Sequence, residues 1–430
     1  MDVRNEESHV FTIKLAKLTG LFQLLAPGTV KYRGRNIYHI AMVCVLLGLG
    51  LISLIMILSG LYYWTSNISI SMDYFWKSEF ALYIIYKMWF VVRHSDDIWN
   101  CLSIARYDFT SINDQNRHIL DRWRQRLAWF TTIYSIIYLT STFSYLVIPL
   151  AFGEDKSPVK SPDGSIGYYR QNAMNLYLIV SDETYNAHYY MFYFVETLFV
   201  VFTGCFFLIF DCLLVTLCFC TCCQMQIICS AFESVGHKSL RDHDSQIVST
   251  DENIKIPPYE HDLIYYNELK TIAMDHQRVM EKYEEFLTLF RRVILSHIFV
   301  SSLAVIAVLF TFIMSFSNGD RFKTSEVVVE KIFFSIPSIL FQIFMVCHLF
   351  GNIQDQKNSI IDALYGSNWT EMNMKCKKLV LLTMKLNNAN NQQLKFTRTK
   401  IVNLEMFFKT MGNCYTVISV LVNYIQTKDT

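Results

Sequence analysis

The chain has 430 residues, of which 52% are hydrophobic and only 17% are charged. Soluble domains carry about 25% charged residues, so the composition excludes a soluble globular protein and indicates a polytopic membrane protein. The net charge of +1 favours no acidic or basic partner, and the sequence has no basic and aromatic surface typical of nucleic-acid binding.

Seven stretches are long and apolar enough for a membrane-spanning helix, which needs about 20 such residues. In chain order they are Tyr38–Trp64, Met72–Val92, Leu127–Phe152, His188–Cys223, Val293–Phe316, Val327–Phe350 and Ile401–Ile425. Apolar residues near helical spacing in Leu263–Leu289 and Asn358–Lys385 predict further helices in a cytoplasmic bundle, and the first of these runs into the fifth span. The predicted fold class is an all-α polytopic membrane protein with seven transmembrane helices and a cytoplasmic helical anchor region.

Basic residues predict the orientation, because Lys and Arg concentrate in cytoplasmic loops. They cluster before the first span, after the second and after the sixth, whereas Thr65–Ser71 between the first two spans has none. We therefore expect the N-terminus inside and the C-terminus outside, the reverse of a G-protein-coupled receptor. Asn67 begins a glycosylation sequon in this first outer loop.

Ionisable residues inside the predicted spans are candidates for function: Glu79, Lys87, Glu196, Asp211 and His348. Lys87 is near the inner end of its span, where its side chain can extend to the membrane surface. For Glu196 and Asp211 we favour polar contacts inside the subunit over a role in coupling. No pair or triad suggests acid–base or nucleophilic chemistry, so we predict no catalytic residues, no enzyme activity and no cofactor.

Four cysteines crowd the inner end of the fourth span: Cys218, Cys220, Cys222 and Cys223. A zinc site usually pairs one C-x2-C element with a second, and no second pair is present. We therefore predict no metal site, and expect packing residues or a palmitoylation patch. Every cysteine falls in a span or on the predicted inner side, so we expect no disulfide in the outer loops.

The last span is apolar but interrupted by Thr, Ser, Asn and Cys. Such groups cost free energy against lipid unless they are paired, so the pattern is typical of a helix with one side in water. Ile418, Leu421 and Val422 share one helical face, and we expect them to form an apolar gate in a pore. The alternative, that they face neighbouring helices or lipid, stays open.

The C-terminal part resembles a known family. Ala363–Trp369 is similar to an A-x-Y-x-x-x-W element, Lys377–Leu379 to a K-x-L run, Leu404–Phe407 to an L-x-x-F element and Cys414–Thr416 to an S-Y-S ending. Together they resemble the C-terminal signature of insect odorant receptors. Cys414 departs from it, because serine is usual there.

This resemblance implies an odorant-gated, non-selective cation channel in the plasma membrane of olfactory neuron dendrites, working without a G protein. Its partners would be a co-receptor subunit in a heterotetramer, a volatile odorant, cations and membrane lipid. Val420–Asn423 lacks the glutamine of the co-receptor's Val-Gln-Leu-Lys element, so the chain resembles a ligand-tuning subunit. Subunit anchoring is expected at Tyr365, Trp369 and Leu379.

The expected division places residues 1–37 in a cytoplasmic N-terminal segment and residues 38–350 in six transmembrane helices with the ligand pocket. Residues 351–400 form the cytoplasmic anchor, and residues 401–430 the pore-lining helix and an extracellular tail.

The resemblance also implies an odorant pocket among the second to sixth spans, for an apolar volatile such as an ester or terpenoid. Apolar pockets with few polar groups suit such ligands. Candidate contacts on these spans are Phe75, Phe80, Tyr83, Tyr138, Ser141, Thr142, Tyr145, Tyr190, Phe194, Thr197, Phe333, Phe334 and Ser338.

Two other functions were considered. Gustatory receptors share the architecture, but their last span typically ends T-Y-(hydrophobic)5-Q-F. Here Val422 stands seven residues after Tyr415 and the glutamine comes only at Gln426, a weaker fit. Secondary transporters usually show repeated halves and broken helices, and neither is visible.

Overall fold

A computed structural model describes residue 17 and residues 22–26, 31–32, 35–66, 68–106, 108–111, 116–152, 156–177, 180–237, 258–315, 326–389, 393–397 and 399–429. The predicted glycosylation site Asn67 lies outside these described residues.

Seven long helices dominate the described chain, which confirms the predicted number of spans. They are α2 Ile37–Tyr63, α3 Ile68–Arg93, α5 Arg117–Ala151, α7 Tyr189–Ser234, α8 Pro258–Met314, α9 Glu326–Gly366 and α11 Leu404–Asp429. All except α3 and α11 are long and apolar enough by composition alone to cross a membrane. α3 contains Asp73, Lys77, Glu79 and Lys87, and α11 alternates apolar residues with Thr and Asn. Four short helices complete the set: α1 Phe22–Leu25, α4 Ser95–Cys101, α6 Asp182–Ala187 and α10 Met374–Ala389.

Two small antiparallel hairpins accompany the helices and were not predicted. Strands β1 Lys31–Tyr32 and β2 Arg35–Asn36 precede α2. Strands β3 Lys156–Lys160 and β4 Ile166–Arg170 pair between α5 and α7, with Lys156 opposite Arg170. The segment between α5 and α7 is therefore structured, and its tyrosines join a second hydrophobic core with α2, α3 and α7.

Helix α7 is the central helix of the subunit. Every residue from Phe206 to Phe219 is buried, as expected for a helix that is apolar on all sides. Helix α2 is peripheral. One of its sides is exposed and consists of leucines at helical spacing: Leu47, Leu51, Leu54, Leu58 and Leu61. This leucine stripe is typical of a surface that faces lipid.

Helices α7, α8 and α9 are longer than a bilayer requires. At about 1.5 Å per residue, the 57 residues of α8 extend over about 85 Å. The helix predicted over Leu263–Leu289 is continuous with the fifth span, as predicted. The first half of α8 packs against α10 and against the later parts of α7 and α9, and Phe286 stacks on Phe350 at 5.9 Å between ring centroids. We call this region the anchor bundle; the predicted helix over Asn358–Lys385 is interrupted there between α9 and α10.

Candidate ligand-binding cavity

A cavity of about 110 Å³ lies among α3, α5, α7, α8 and α9. Its walls are mainly aromatic and aliphatic. All 12 cysteines of the chain are free thiols, and none of them lines the cavity. Two successive turns of α9 expose Ser335, Ser338 and Gln342 to the cavity, whereas α7 presents Gly204. A Cβ atom at Gly204 would lie 3.5 Å from Thr142 Cγ2, so the absent side chain keeps this wall open.

Seven residues of the sequence prediction line the cavity: Phe80, Tyr83, Tyr138, Ser141, Thr142, Tyr145 and Ser338. Phe80 stacks on Phe207 with ring centroids 4.9 Å apart, and Tyr138 stacks on the same ring at 5.7 Å. Phe207 is therefore the aromatic centre of the cavity wall, although the sequence analysis did not single it out.

The other six predicted contacts do not line this cavity. Tyr190, Phe194, Phe333 and Phe334 are exposed on the subunit surface, because they lie on the outward faces of α7 and α9. Phe75 packs edge-on against Trp64 at 6.0 Å, and Thr197 on α7 is half-buried outside the cavity lining. Among the lining residues that the prediction missed are Lys77, Met174, Phe207, Ser301 and Gln342.

Directly beside the cavity, Lys87 forms a fully buried ion pair. Its ammonium lies 2.6 Å from Asp211 Oδ1, and both side chains have no exposed surface. The Tyr134 hydroxyl donates to Asp211 Oδ2 at 2.6 Å, and the ammonium lies 3.5 Å from the centre of the Phe207 ring. The expectation that Lys87 extends to the membrane surface is therefore wrong, because a carboxylate one helix away neutralises it in place.

A second buried polar cluster closes one end of the cavity. We call Gln171–Tyr177 the cap segment; its Met174 side chain lines the cavity. Glu196 on α7 accepts hydrogen bonds from the Met174 and Leu176 amides at 2.6 and 3.0 Å. The prediction that Glu196 makes a polar contact inside the subunit is confirmed, and so is that for Asp211.

Cations hold the carbonyl side of the cap segment. Lys77 on α3 donates to the Met174 carbonyl at 2.9 Å and pairs with Asp73. Lys331 on α9 donates to the Asn172 carbonyl. Charge-assisted hydrogen bonds of this kind are shorter and stronger than neutral ones, so three helices fix the backbone of the cap segment.

The predicted gate residues on α11 do not share an exposed face. Ile418 is 4% exposed and packs against its own subunit, and Val422 packs against Phe310 and Met314 of α8. Leu421 is partly exposed. The expectation that Ile418 faces a pore is therefore wrong for the subunit as folded, whereas that for Leu421 and the half-buried Val422 stays a prediction.

The three predicted anchor residues lie in the anchor bundle. Tyr365 is exposed at the end of α9. Trp369 and Leu379 are partly buried against the main core of their own subunit. Of the three, Tyr365 alone leaves most of its side-chain surface uncovered by its own subunit.

Comparison with known proteins identifies the family. The model of the family described as 7tm Odorant receptor matches residues 66–415. The chain belongs to the odorant receptor family. Odorant receptor 46a, isoform B, of Drosophila melanogaster is 26% identical over 108 residues, which are 25% of this chain and 27% of that protein. The match thus spans about a quarter of that relative's length.

Solved structures of odorant receptors share the fold. Olfactory receptor OR5 from Machilis hrabei in complex with eugenol superposes with a TM-score of 0.69 at 14% identity, covering 98% of both chains. A second structure of the same OR5 superposes with a TM-score of 0.68 at 14% identity, covering 96% of this chain and 99% of that one. The receptor is therefore a multi-pass plasma membrane protein of the seven-helix odorant receptor fold, and its family is not a family of enzymes.

Proposed function

We propose that this odorant receptor is a ligand-tuning subunit of a non-selective cation channel that opens when an apolar volatile occupies the cavity. The observation that carries the proposal is the cavity itself, whose walls come from five long helices and are mainly apolar. Burial of an apolar ligand contributes about 25 cal/mol per Å², so shape and hydrophobicity alone give useful affinity there.

The surface of α11 supports a role in lining the pore. Its exposed residues include a stripe at helical spacing, which we call the polar stripe: Lys409, Asn413, Thr416, Val420 and Asn423. At about 100° per residue, these five lie within one face, opposite Ile418. A partly polar face on a membrane helix suits contact with water and permeating ions.

We further propose that the subunit works beside the odorant receptor co-receptor, with the N-terminus and the anchor bundle in the cytoplasm. The distribution of Lys and Arg supports this orientation. Val420–Asn423, which differs from the co-receptor's element, supports the assignment as tuning subunit. The four-part division of residues 1–37, 38–350, 351–400 and 401–430 belongs to the same proposal.

The experiment is whole-cell recording from cells that express the chain with an insect co-receptor, the chain alone, or the co-receptor alone. A panel of volatile esters, terpenes and aromatic compounds serves as stimulus. We expect an odorant-evoked cation current that requires both subunits. Absence of current despite surface labelling of both subunits would contradict the proposal.

A matched pair of variants tests whether the cavity is the odorant site. Phe80 lines it and Phe75, on the same helix, does not. We expect Phe80→Ala to shift the potency of active compounds by about tenfold or more, because a buried aromatic contact is lost. Phe75→Ala should leave potency nearly unchanged; the opposite ranking would exclude this cavity.

A further inference from the structure

Three polar side chains that line the cavity lack a protein partner. Within the described part of the chain, no hydrogen bond is formed by the Gln342 amide, the Ser301 hydroxyl or the Tyr138 hydroxyl. The residues are 3%, 5% and 7% exposed, so bulk solvent does not satisfy them either. They come from α9, α8 and α5.

Other hydroxyls of the cavity wall behave differently. Thr142 and Thr203 donate to the carbonyls of Tyr138 and Phe199, one turn earlier on their own helices. Ser335 and Ser338 do the same on α9. Such back-bonding is the ordinary way in which a helical hydroxyl is satisfied in an apolar setting. Gln342, Ser301 and Tyr138 are therefore exceptions that call for another partner.

A buried polar group without a hydrogen bond costs free energy. The cost is recovered when a ligand or a water molecule supplies the missing bond. Gln342 offers an acceptor and two donors, and each hydroxyl can both donate and accept. The unpaired groups therefore match a ligand that has a hydroxyl or a carbonyl oxygen.

The charges around the cavity favour a neutral ligand. Lys77 is the ionised residue of the lining, and it already contacts Asp73 and the Met174 carbonyl. The neighbouring Lys331 and Glu196 are engaged with the cap segment. Two cations and two carboxylates thus balance, and an ionised ligand would have to displace a protein group.

The size of the cavity limits the ligand. An apolar cavity of about 150 Å³ holds a benzene molecule, and this cavity measures about 110 Å³. A substituted ring is larger than benzene, so it fits only when side chains of the wall move outward. A compact, single-ring molecule requires less of this movement than an extended chain or a bicyclic terpene.

From these observations, and resting on the proposed function, we infer that the odorant class is a small, neutral, single-ring compound with a hydroxyl or carbonyl oxygen. Gln342 and Ser301 bind that oxygen from α9 and α8, and the Tyr138 hydroxyl offers a third hydrogen bond from α5. The aromatic wall around Phe207 contacts the ring.

The test compares isosteric probes on the receptor expressed with an insect co-receptor. Benzyl alcohol is paired with ethylbenzene, and acetophenone with α-methylstyrene, so that only the oxygen differs. The wild type should respond to the oxygenated member at concentrations about tenfold or more below those of its hydrocarbon partner. Gln342→Leu and Ser301→Ala should each reduce this preference severalfold while the hydrocarbon responses persist.

Two variants serve as matched controls. Ser302 is the neighbour of Ser301, but its hydroxyl donates to the Ile298 carbonyl at 2.6 Å. Gln354 lies farther along α9 and bonds Asn358. Ser302→Ala and Gln354→Leu should keep the wild-type preference. The preserved hydrocarbon response of Gln342→Leu and Ser301→Ala shows that these proteins fold and assemble.

A binding measurement separates this inference from the proposed function. Thermal unfolding of the purified receptor is followed with each probe. Stabilisation by benzyl alcohol but not by ethylbenzene that is lost in Gln342→Leu supports the inference, even if no current is evoked. The absence of current would contradict the channel proposal alone. Equal effects of both isosteres in both assays, or a preference unchanged in Gln342→Leu and Ser301→Ala, would overturn the inference.

Discussion

Lys87 and Asp211 have no exposed surface, yet each carries a charge that would be costly to bury alone. The Coulomb attraction between them, the hydrogen bond from Tyr134 and the contact with Phe207 offset that cost. The same aromatic ring contacts both the ammonium group and the cavity. The cavity therefore lies next to the buried Lys87–Asp211 ion pair, with only the Phe207 ring between them.

Asp211→Asn should destabilise the receptor by about 3–5 kcal/mol, because removal of one partner leaves Lys87 buried without a counter-charge. Thermal unfolding of the purified protein measures the loss. The double variant Lys87→Met with Asp211→Leu should recover much of it, since neither charge then remains. A double variant less stable than Asp211→Asn would argue against this account.

For single residues, the sequence predicts which side chains share a helix face better than it predicts whether that face points into the subunit. Tyr138 and Thr142 are one turn apart on α5 and line the cavity, whereas Tyr190 and Phe194 are one turn apart on α7 and face outward. Periodicity identifies residues that share a face, and only the neighbouring helices decide which way that face points. Gln342 was missed because a single amide in an apolar helix gives no periodic signal.

The anchor bundle has an apolar core that contains a few buried polar contacts. His276 on α8 is buried, and its Nε2 atom lies 3.3 Å from Asn387 Oδ1 on α10. Burial lowers the pKa of His276 below its usual value; the bond to Asn387 opposes this shift, and Lys357 on α9 adds to it. Three helices of the bundle thus meet at a neutral imidazole.

The pH dependence of the bundle follows from this lowered pKa. The unfolded chain takes up a proton on His276 near pH 6.5, before the folded protein does, so stability is full above that pH and falls as the pH drops below it. Thermal unfolding between pH 7.5 and 5.5 should show this fall. His276→Gln should reduce the slope, and a slope equal to that of the wild type would contradict the assignment to His276.

Among the elements, long apolar helices were predictable and their polar extensions were less so. The predicted span Val293–Phe316 is one half of α8, and the apolar stripe of Leu263–Leu289 predicted the other half as a helix running into it. The helix predicted over Asn358–Lys385 is instead interrupted between α9 and α10. The cap segment could not be foreseen. It is held by Glu196, Lys77 and Lys331, which lie far apart in the chain and meet only after the helices have packed.

For the whole molecule, α11 offers one face to its own subunit and the polar stripe to its surroundings. Asn413→Leu should reduce single-channel conductance severalfold, because it replaces an amide on the stripe with an apolar group. Ile418→Ala should instead lower stability by about 2–5 kcal/mol, through loss of core packing, with conductance unchanged. Single-channel recording distinguishes the two faces; the reverse result would mean that the helix turns on assembly.

The number of spans and the fold class were predictable because apolar length is a strong signal that needs no tertiary information. Which face of α11 points into its own subunit could not be predicted. Spacing groups Ile418 with Val422 correctly, but Ile418 is buried and Val422 packs against α8, so that face points into the subunit. The orientation across the bilayer stays a prediction from the distribution of Lys and Arg.

Helix α9 contacts both the cavity and α11. Gln342 lines the cavity, and Phe344, two residues later, contacts Phe407 of α11 edge-on at 5.7 Å. These two positions are separated by about 3 Å along an unbroken helix axis, with no hinge or loop between them. Any rotation of α9 about its axis would therefore displace the Phe344–Phe407 contact together with the cavity wall, because no flexible linker separates them.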